Sequence, residues 1–157
     1  MSFCYLMLLK THLIFAIFAI ILFVNFVNDK LIFVSLVLLA TFLPDIDSGF
    51  STLGRRAISK PIQLITRHRG LLHSFTFVVF ISIILSVYWP VASLGFFLGY
   101  ALHILGDSFT KDGVQAFWPL KVKSSGFIAT GGKIEETLFF SMIIINIILF
   151  LIVFMFR

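Results

Sequence analysis

Charge is what this sequence has least of: 12% of its 157 residues are Asp, Glu, Lys or Arg, where a soluble domain carries about 25%. With 60% hydrophobic residues and a mean hydropathy of +1.11, the composition excludes an ordinary water-soluble domain. Cysteine is almost absent. Cys4 stands alone, which excludes an intrachain disulfide and any thiolate metal cage, and leaves the redox compartment undetermined. No stretch rich in Pro, Gly or Ser divides the chain and no internal repeat is visible, so one domain over residues 1–157 is expected. The net charge of +5 comes without a basic helix or an aromatic-basic module, which argues against nucleic acid as a partner. The apolar run after Lys10 lacks an A-x-A-like exit and is read as a retained helix rather than a cleaved signal.

What the chain does have is phenylalanine, 21 residues of it, more than a soluble domain this size can bury. Lipid solvates such a surface and water does not. Five apolar segments follow one another at 11–27, 31–43, 71–89, 91–106 and 137–156. The expected fold class is therefore all-α, an integral membrane bundle of about five apolar helices. Only the last segment reaches the roughly 20 residues of a full span. The second is short, and is either tilted with bilayer thinning or partly re-entrant. Turns at 28–30 and 89–90 mark one side; the longer polar loops 44–70 and 107–136 mark the other. Ten of the twelve basic residues (Lys10, Arg55, Arg56, Lys60, Arg67, Arg69, Lys111, Lys121, Lys123 and Lys133) fall on the long-loop side, and two, Lys30 and Arg157, on the other. That bias places the long loops and the N-terminus in the cytoplasm, in an inner (cytoplasmic) membrane protein of several passes.

On this topology the ionisable residues gather at one end. His12 opens the first segment, Asp45 and Asp47 close the second, His68 and His73 flank the start of the third, His103 and Asp107 end the fourth, and Glu135 precedes the fifth. Ionisable groups beside membrane helices usually face a bundle interior or a water cavity. His103 and Asp107, four residues apart, lie about 40° apart around a helix and can reach one ion; a helix-terminal hydrogen-bonded pair is the plainer reading. Gly95, Gly99 and Gly106 continue that face with small residues, which lets a neighbouring helix approach. Asp45 and Asp47 suit oxygen ligation or proton acceptance, or the satisfaction of backbone N–H groups in a loop. His12 alone reads equally as an interfacial anchor, and Glu135 or Glu136 as an acid at a helix N-terminus. The Arg55-Arg56 and Arg67-x-Arg69 pairs are explained by topology, with phosphate contact as an addition. Trp118-Pro119 reads as an interfacial anchor.

Thr11-His12, Leu43-Pro44-Asp45-Ile46-Asp47, His68-Arg69-Gly70-x-x-His73-Ser74, His103-x-x-x-Asp107-Ser108-x-Thr110-x-x-Gly113-Val114 and Thr130-Gly131-x-x-x-Glu135 occur in that order across nearly the whole chain. This ordered set resembles the YdjM-like family of inner-membrane, predicted metal-dependent hydrolases. The resemblance implies a helical fold distantly similar to zinc-dependent phospholipase C and its nuclease relatives. It implies His12, Asp47, His68, His73, His103, Asp107 and Glu135 as the metal ligands or their immediate shell, enough for two or three ions. The soluble enzymes differ in using a processed N-terminal amine and more histidines.

The expected function is a membrane-bound metal-dependent phosphoesterase acting on a lipid or lipid-linked phosphate at the cytoplasmic leaflet. Mixed imidazole and carboxylate donors favour Zn, with Mn or Fe as alternatives. Asp45 or Asp47 would take the proton of the attacking water, and Arg67, Arg69 or Lys111 would offset phosphate charge. The alternative is a non-enzymatic membrane protein, ion-handling or a scaffold, using the His/Asp cluster as a structural metal site. Transport is disfavoured because little polar is available near the midplane. Oligomeric state is not legible.

Overall fold

Apolar helices separated by the expected breakers make up most of the chain. The computed structural model describes residues 7–47 and 71–155, without the side chains of Ile46 and Asp47. Among the described residues five helices run in order: α1 Leu9–Phe23, extended by a 3₁₀ turn Val24–Phe26; α2 Lys30–Phe42; α3 Phe75–Tyr88; α4 Pro90–Ser108; and α5 Lys133–Met155. Further 3₁₀ turns are Pro44–Asp47, directly after α2, and Leu71–His73, directly before α3. Among the described residues there is no strand, only two isolated bridges. The protein is an all-helical membrane bundle.

The boundaries have local causes. Ser74 caps α3, its hydroxyl accepting from the Phe77 N–H at 3.2 Å, so the helix starts four residues later than the apolar run suggests. Trp89 precedes proline and is biased out of the helical region, which ends α3. Pro90 then opens α4 at its first turn, where a missing N–H costs no hydrogen bond. At the other end α5 begins at Lys133 rather than 137, which puts Glu135 and Glu136 in its first turn.

Among the described residues three helical stretches are long and apolar enough to cross a membrane, Leu9–Phe26, Pro90–Ser108 and Lys133–Met155. The other two are apolar but shorter, with 13 residues in α2 and 14 in α3, or about 20 Å of rise each against a hydrocarbon core of about 30 Å. Neither breaks internally. α2 is one continuous helix laid along α4.

α4 is the hub. It packs on α2, α3 and α1, while α5 leans on α1. The α2–α4 contact depends on glycine: a Cβ on Gly99 would stand 2.2 Å from the Val37 carbonyl oxygen, and one on Gly95 3.0 Å from that of Phe33. Backbone therefore meets backbone, with Phe33, Val37 and Ala40 filling in around it. Tyr100, Phe96 and Ile104 form the second cluster against Val78 of α3. Two polar ties cross the apolar layer. Asn146 of α5 donates to the Ile14 carbonyl of α1 at 3.0 Å, and Ser93 of α4 donates to the Ser82 carbonyl of α3 at 2.7 Å. The outer faces of α3 and α5 expose large apolar side chains such as Phe80, Ile83, Ile147 and Phe154, as a surface bathed in lipid requires.

The connection from α4 to α5 folds back over one end of the bundle. Val114 and Ser124 exchange backbone hydrogen bonds of 2.9 and 2.8 Å, and Gly113, at φ +54°, is packed so tightly that a Cβ would meet the Ser124 carbonyl. Val114 and Ala116 bury themselves against the α3–α4 core, while Phe117, Trp118, Leu120 and Val122 project outward.

Candidate metal centre

Alternating helix direction brings four chain segments to one end of the bundle. The N-terminal turn of α1 supplies His12, the turn after α2 supplies Asp45, the turn before α3 supplies His73, and the last turns of α4 supply His103 and Asp107. All five side chains are buried. Sequence separations of up to 95 residues (His12 to Asp107) collapse to contact distance.

His103 is the best defined. Its Nδ1 lies 2.7 Å from the Thr41 carbonyl. A carbonyl only accepts, so Nδ1 carries the hydrogen. Thr41 sits in the last turn of α2, where helix carbonyls lack a partner within their own helix. Nε2 then points to the interior, where Asp107 Oδ2 is 3.4 Å away and Asp45 Oδ1 3.7 Å, and in the neutral ring it offers a lone pair. A ring nitrogen fixed by a backbone carbonyl on its far side is the usual arrangement of a metal-ligating histidine.

His12 stacks on His103 with ring centroids 3.9 Å apart and planes within 9°. Its Nε2 is 3.3 Å from Asp107 Oδ1. Gly106 makes that approach possible, since a Cβ there would sit 3.2 Å from His12 Cε1. Asp107 thus faces different partners with its two oxygens. Oδ1 accepts from the Met7 N–H at 3.3 Å and faces His12; Oδ2 faces His103 and, at 3.8 Å, His73 Nε2.

Two groups of three donors follow, His12–His103–Asp107 and Asp45–His73–His103, each with its ligand atoms within 4.8 Å of one another. Both ring nitrogens of His12, Nε2 of His103 and Oδ2 of Asp107 are buried without an aligned hydrogen bond among the described residues. Orphaned buried polar atoms are costly. Donor atoms bound at about 2.0–2.2 Å to one tetrahedral ion stand roughly 3.3–3.6 Å apart, close to the separations found. By spacing, by donor chemistry and by these orphaned atoms, the buried His/Asp groups can hold a metal ion.

Other residues fall elsewhere. Glu135 is buried too, but its carboxylate is engaged with backbone and hydroxyl. Oε1 accepts from the Leu8 N–H at 2.7 Å and the Thr11 hydroxyl at 2.8 Å, and Oε2 accepts from the Gly131 N–H at 2.6 Å. It belongs to neither donor group. Asp45, read from sequence as a proton acceptor, lies within ligand distance of His103. Lys111 follows α4 directly and is exposed. His68, Arg67 and Arg69 lie outside the described residues, and so does the Asp47 side chain. Sequence reasoning did not find the Thr41 carbonyl or the Met7 N–H; backbone groups leave no mark in a residue pattern. Thr11 did leave one, as the neighbour of His12 in the motif.

Fold and site together define an all-helical membrane protein with a buried cluster of imidazoles and carboxylates at one end. The chain belongs to the YdjM inner membrane protein family, whose model matches residues 7–157. It is 41% identical to the inner membrane protein YdjM of Escherichia coli K12 over 93 residues, covering 54% of this chain and 47% of that protein; the Shigella flexneri protein of the same name gives the same figures. Similarity extends to the uncharacterized protein YvsG of Bacillus subtilis 168, 29% identical over 100 residues, 60% of this chain and 62% of that one. The chain spans about half the length of the YdjM proteins it matches. No solved structure matches it.

Proposed function

We propose that residues 1–157 form a single membrane-embedded, metal-dependent hydrolase unit acting on a phosphoester of a lipid or lipid-linked compound at the cytoplasmic leaflet. The observation that carries this reading is the convergence of His103 Nε2, His12 Nε2 and Asp107 in a fully buried cluster, with His103 Nε2 3.4 Å from Asp107 Oδ2 and His12 Nε2 3.3 Å from Asp107 Oδ1. Positive charge between such donors, a metal ion or a ring proton, makes the contact favourable, and three converging donors suit the metal. His12, His103 and Asp107 would hold one ion and Asp45 and His73 a second, with Asp107 able to face both and His103 committed to one; His68 and Asp47 belong to the set by motif. A divalent ion there, Zn on the donor mix, supplies Lewis acidity to a water and to a phosphoryl oxygen.

The chain's own residues do the rest. The Thr41 carbonyl fixes the tautomer of His103, so its lone pair needs no reorganisation. Whichever of Asp45 and Asp47 is left unligated accepts the water proton, as carboxylates do in general base catalysis. Arg67, Arg69 and Lys111 bear the charge that offsets a phosphate. The apolar walls exclude bulk water. The ten-to-two distribution of basic residues supports a cytoplasmic site, and the distant likeness to zinc-dependent phospholipase C is part of the same proposal.

One observation favours a second reading. His12, His73, His103 and Asp107 are all at most 1% exposed, as in a structural metal site that never meets substrate. Phosphate release from p-nitrophenyl phosphate and from dioleoyl phosphatidate by the detergent-purified protein separates the two. The proposal expects release that disappears on chelation, returns with Zn, and is absent from Asp107→Ala, with metal content falling in parallel. Metal bound at full stoichiometry without any turnover would favour the structural site. Turnover that survives removal of all metal would refute both.

A further inference from the structure

α4 and α5 both pack on α1 yet make almost no contact with each other, and a cavity of about 540 Å³ lies in the gap. Small-molecule sites typically measure roughly 300–1,000 Å³. Phe15 and Phe18 of α1 form its floor, with Leu105 on the α4 wall and Met142 and Ile145 on the α5 wall. Every residue lining it is apolar. Leu105 and Ile145 remain almost half exposed at the rim, so the cleft opens sideways, toward the lipid phase.

Its position relative to the His/Asp cluster distinguishes it from an ordinary lipid-facing groove. Met7, Gly106, Phe109 and Ile128 close one end, at the level of Asp107. Phe18 lies six residues further along α1 than His12, about 9 Å deeper into the bundle. The cleft therefore starts beside the donor cluster and runs toward the middle of the bilayer, as the chain of a membrane lipid does below its head. Two residues belong to both compartments. Gly106 lines the cleft while its missing side chain leaves room for the His12 ring on the other side. Met7 lines the cleft with its side chain and donates its N–H to Asp107 Oδ1. The partition is one glycine and one flexible thioether, and methionine re-packs readily.

We propose that the α4–α5 cleft holds one hydrocarbon chain of a membrane lipid whose polar head meets the His12–Asp107 end. This rests on the hydrolase reading above for the fate of the head. A chain in the cleft is flanked by protein on three sides, α1 below and a helix on each wall, where a lipid at the outer surface touches protein on one. A lipid tail gains apolar contact in such a slot, and soluble phosphoesters gain nothing from it. That difference makes the cleft a specificity device, since binding energy from a part of the substrate that does not react serves to place the part that does.

The test uses the full chain in detergent with dioleoyl phosphatidate and p-nitrophenyl phosphate as probes. Met142→Trp and, separately, Ile145→Trp fill the cleft away from the cluster; Ile83→Trp on the outer face of α3 is the control. Native mass spectrometry reads retained phosphatidate, and metal content confirms that each variant is folded. The cleft predicts one phosphatidate held by the wild type and the control and lost from both filled variants, with KM for phosphatidate rising roughly tenfold or more and kcat on p-nitrophenyl phosphate unmoved. Retention by the filled variants equal to wild type, or no retention by the wild type, overturns it. Loss of retained lipid from the filled variants without turnover of either probe by any form supports the cleft and removes the hydrolase reading instead.

Discussion

His103 uses one nitrogen on the end of α2 and aims the other at two carboxylates, so a single residue both ties α2 to α4 and shapes the cluster. The residue pattern alone announced the pairing of His103 with Asp107, because four-residue spacing on a helix needs no tertiary knowledge. It could not announce the stacking of His12, which depends on how closely α1 meets Gly106. Glu135 illustrates the limit. The motif makes it a candidate ligand, while its oxygens here collect two backbone N–H groups and a hydroxyl, capping the first turn of α1 from another helix. Leu8, the residue preceding α1, has no side chain able to do this. Glu135→Ala should therefore destabilise the bundle by about 2–3 kcal/mol, the cost of orphaning buried donors to a charged acceptor, and lower metal content only as α1 shifts. Glu135→Gln should recover most of the stability and the metal. Thermal unfolding in micelles alongside elemental analysis checks this; a Gln variant with native stability and no metal would instead make Glu135 a ligand.

At the scale of the elements, the five apolar segments were legible from hydropathy, and their ends were less so. Ser74 and Pro90 moved or sharpened boundaries by local chemistry, whereas the start of α5 at Lys133 was hidden because Lys133, Glu135 and Glu136 look like loop. The small-residue face of α4 was readable as a packing surface, but which helix would use it was not. Gly95 and Gly99 face α2, and Gly106 faces α1. Because a Cβ on Gly99 would stand 2.2 Å from backbone oxygen, Gly99→Ala should force α2 outward at a cost of about 1–3 kcal/mol. It should also loosen the His103–Thr41 bond, so metal affinity falls with stability. Gly131→Ala has open space around it and is penalised only by its positive φ of 70°, by about 1–2 kcal/mol, with little effect on metal at full folding. Melting curves and metal titration of the two variants distinguish packing from backbone strain.

For the whole molecule, the sequence placed His12, Asp45, His73, His103 and Asp107 at one end through topology alone, and the bundle brings them together; the burial of the cluster and the cleft beside it depend on packing no pattern records. The excess of basic residues on the long-loop side predicts that this side faces the cytoplasm. In a Cys4→Ser background, Ser125→Cys should resist a membrane-impermeant maleimide added outside intact spheroplasts, and Tyr88→Cys should react; the reverse pattern would invert the orientation. The central claim is that one buried ion joins α1 and α4 through His12, His103 and Asp107. X-ray absorption at the zinc edge of protein loaded with one equivalent tests it most directly. The account predicts a first shell of mixed imidazole nitrogen and carboxylate oxygen at about 2.0–2.2 Å, lost from His103→Ala with the bundle still folded. A shell of oxygen alone, or an unchanged spectrum in that variant, would contradict it.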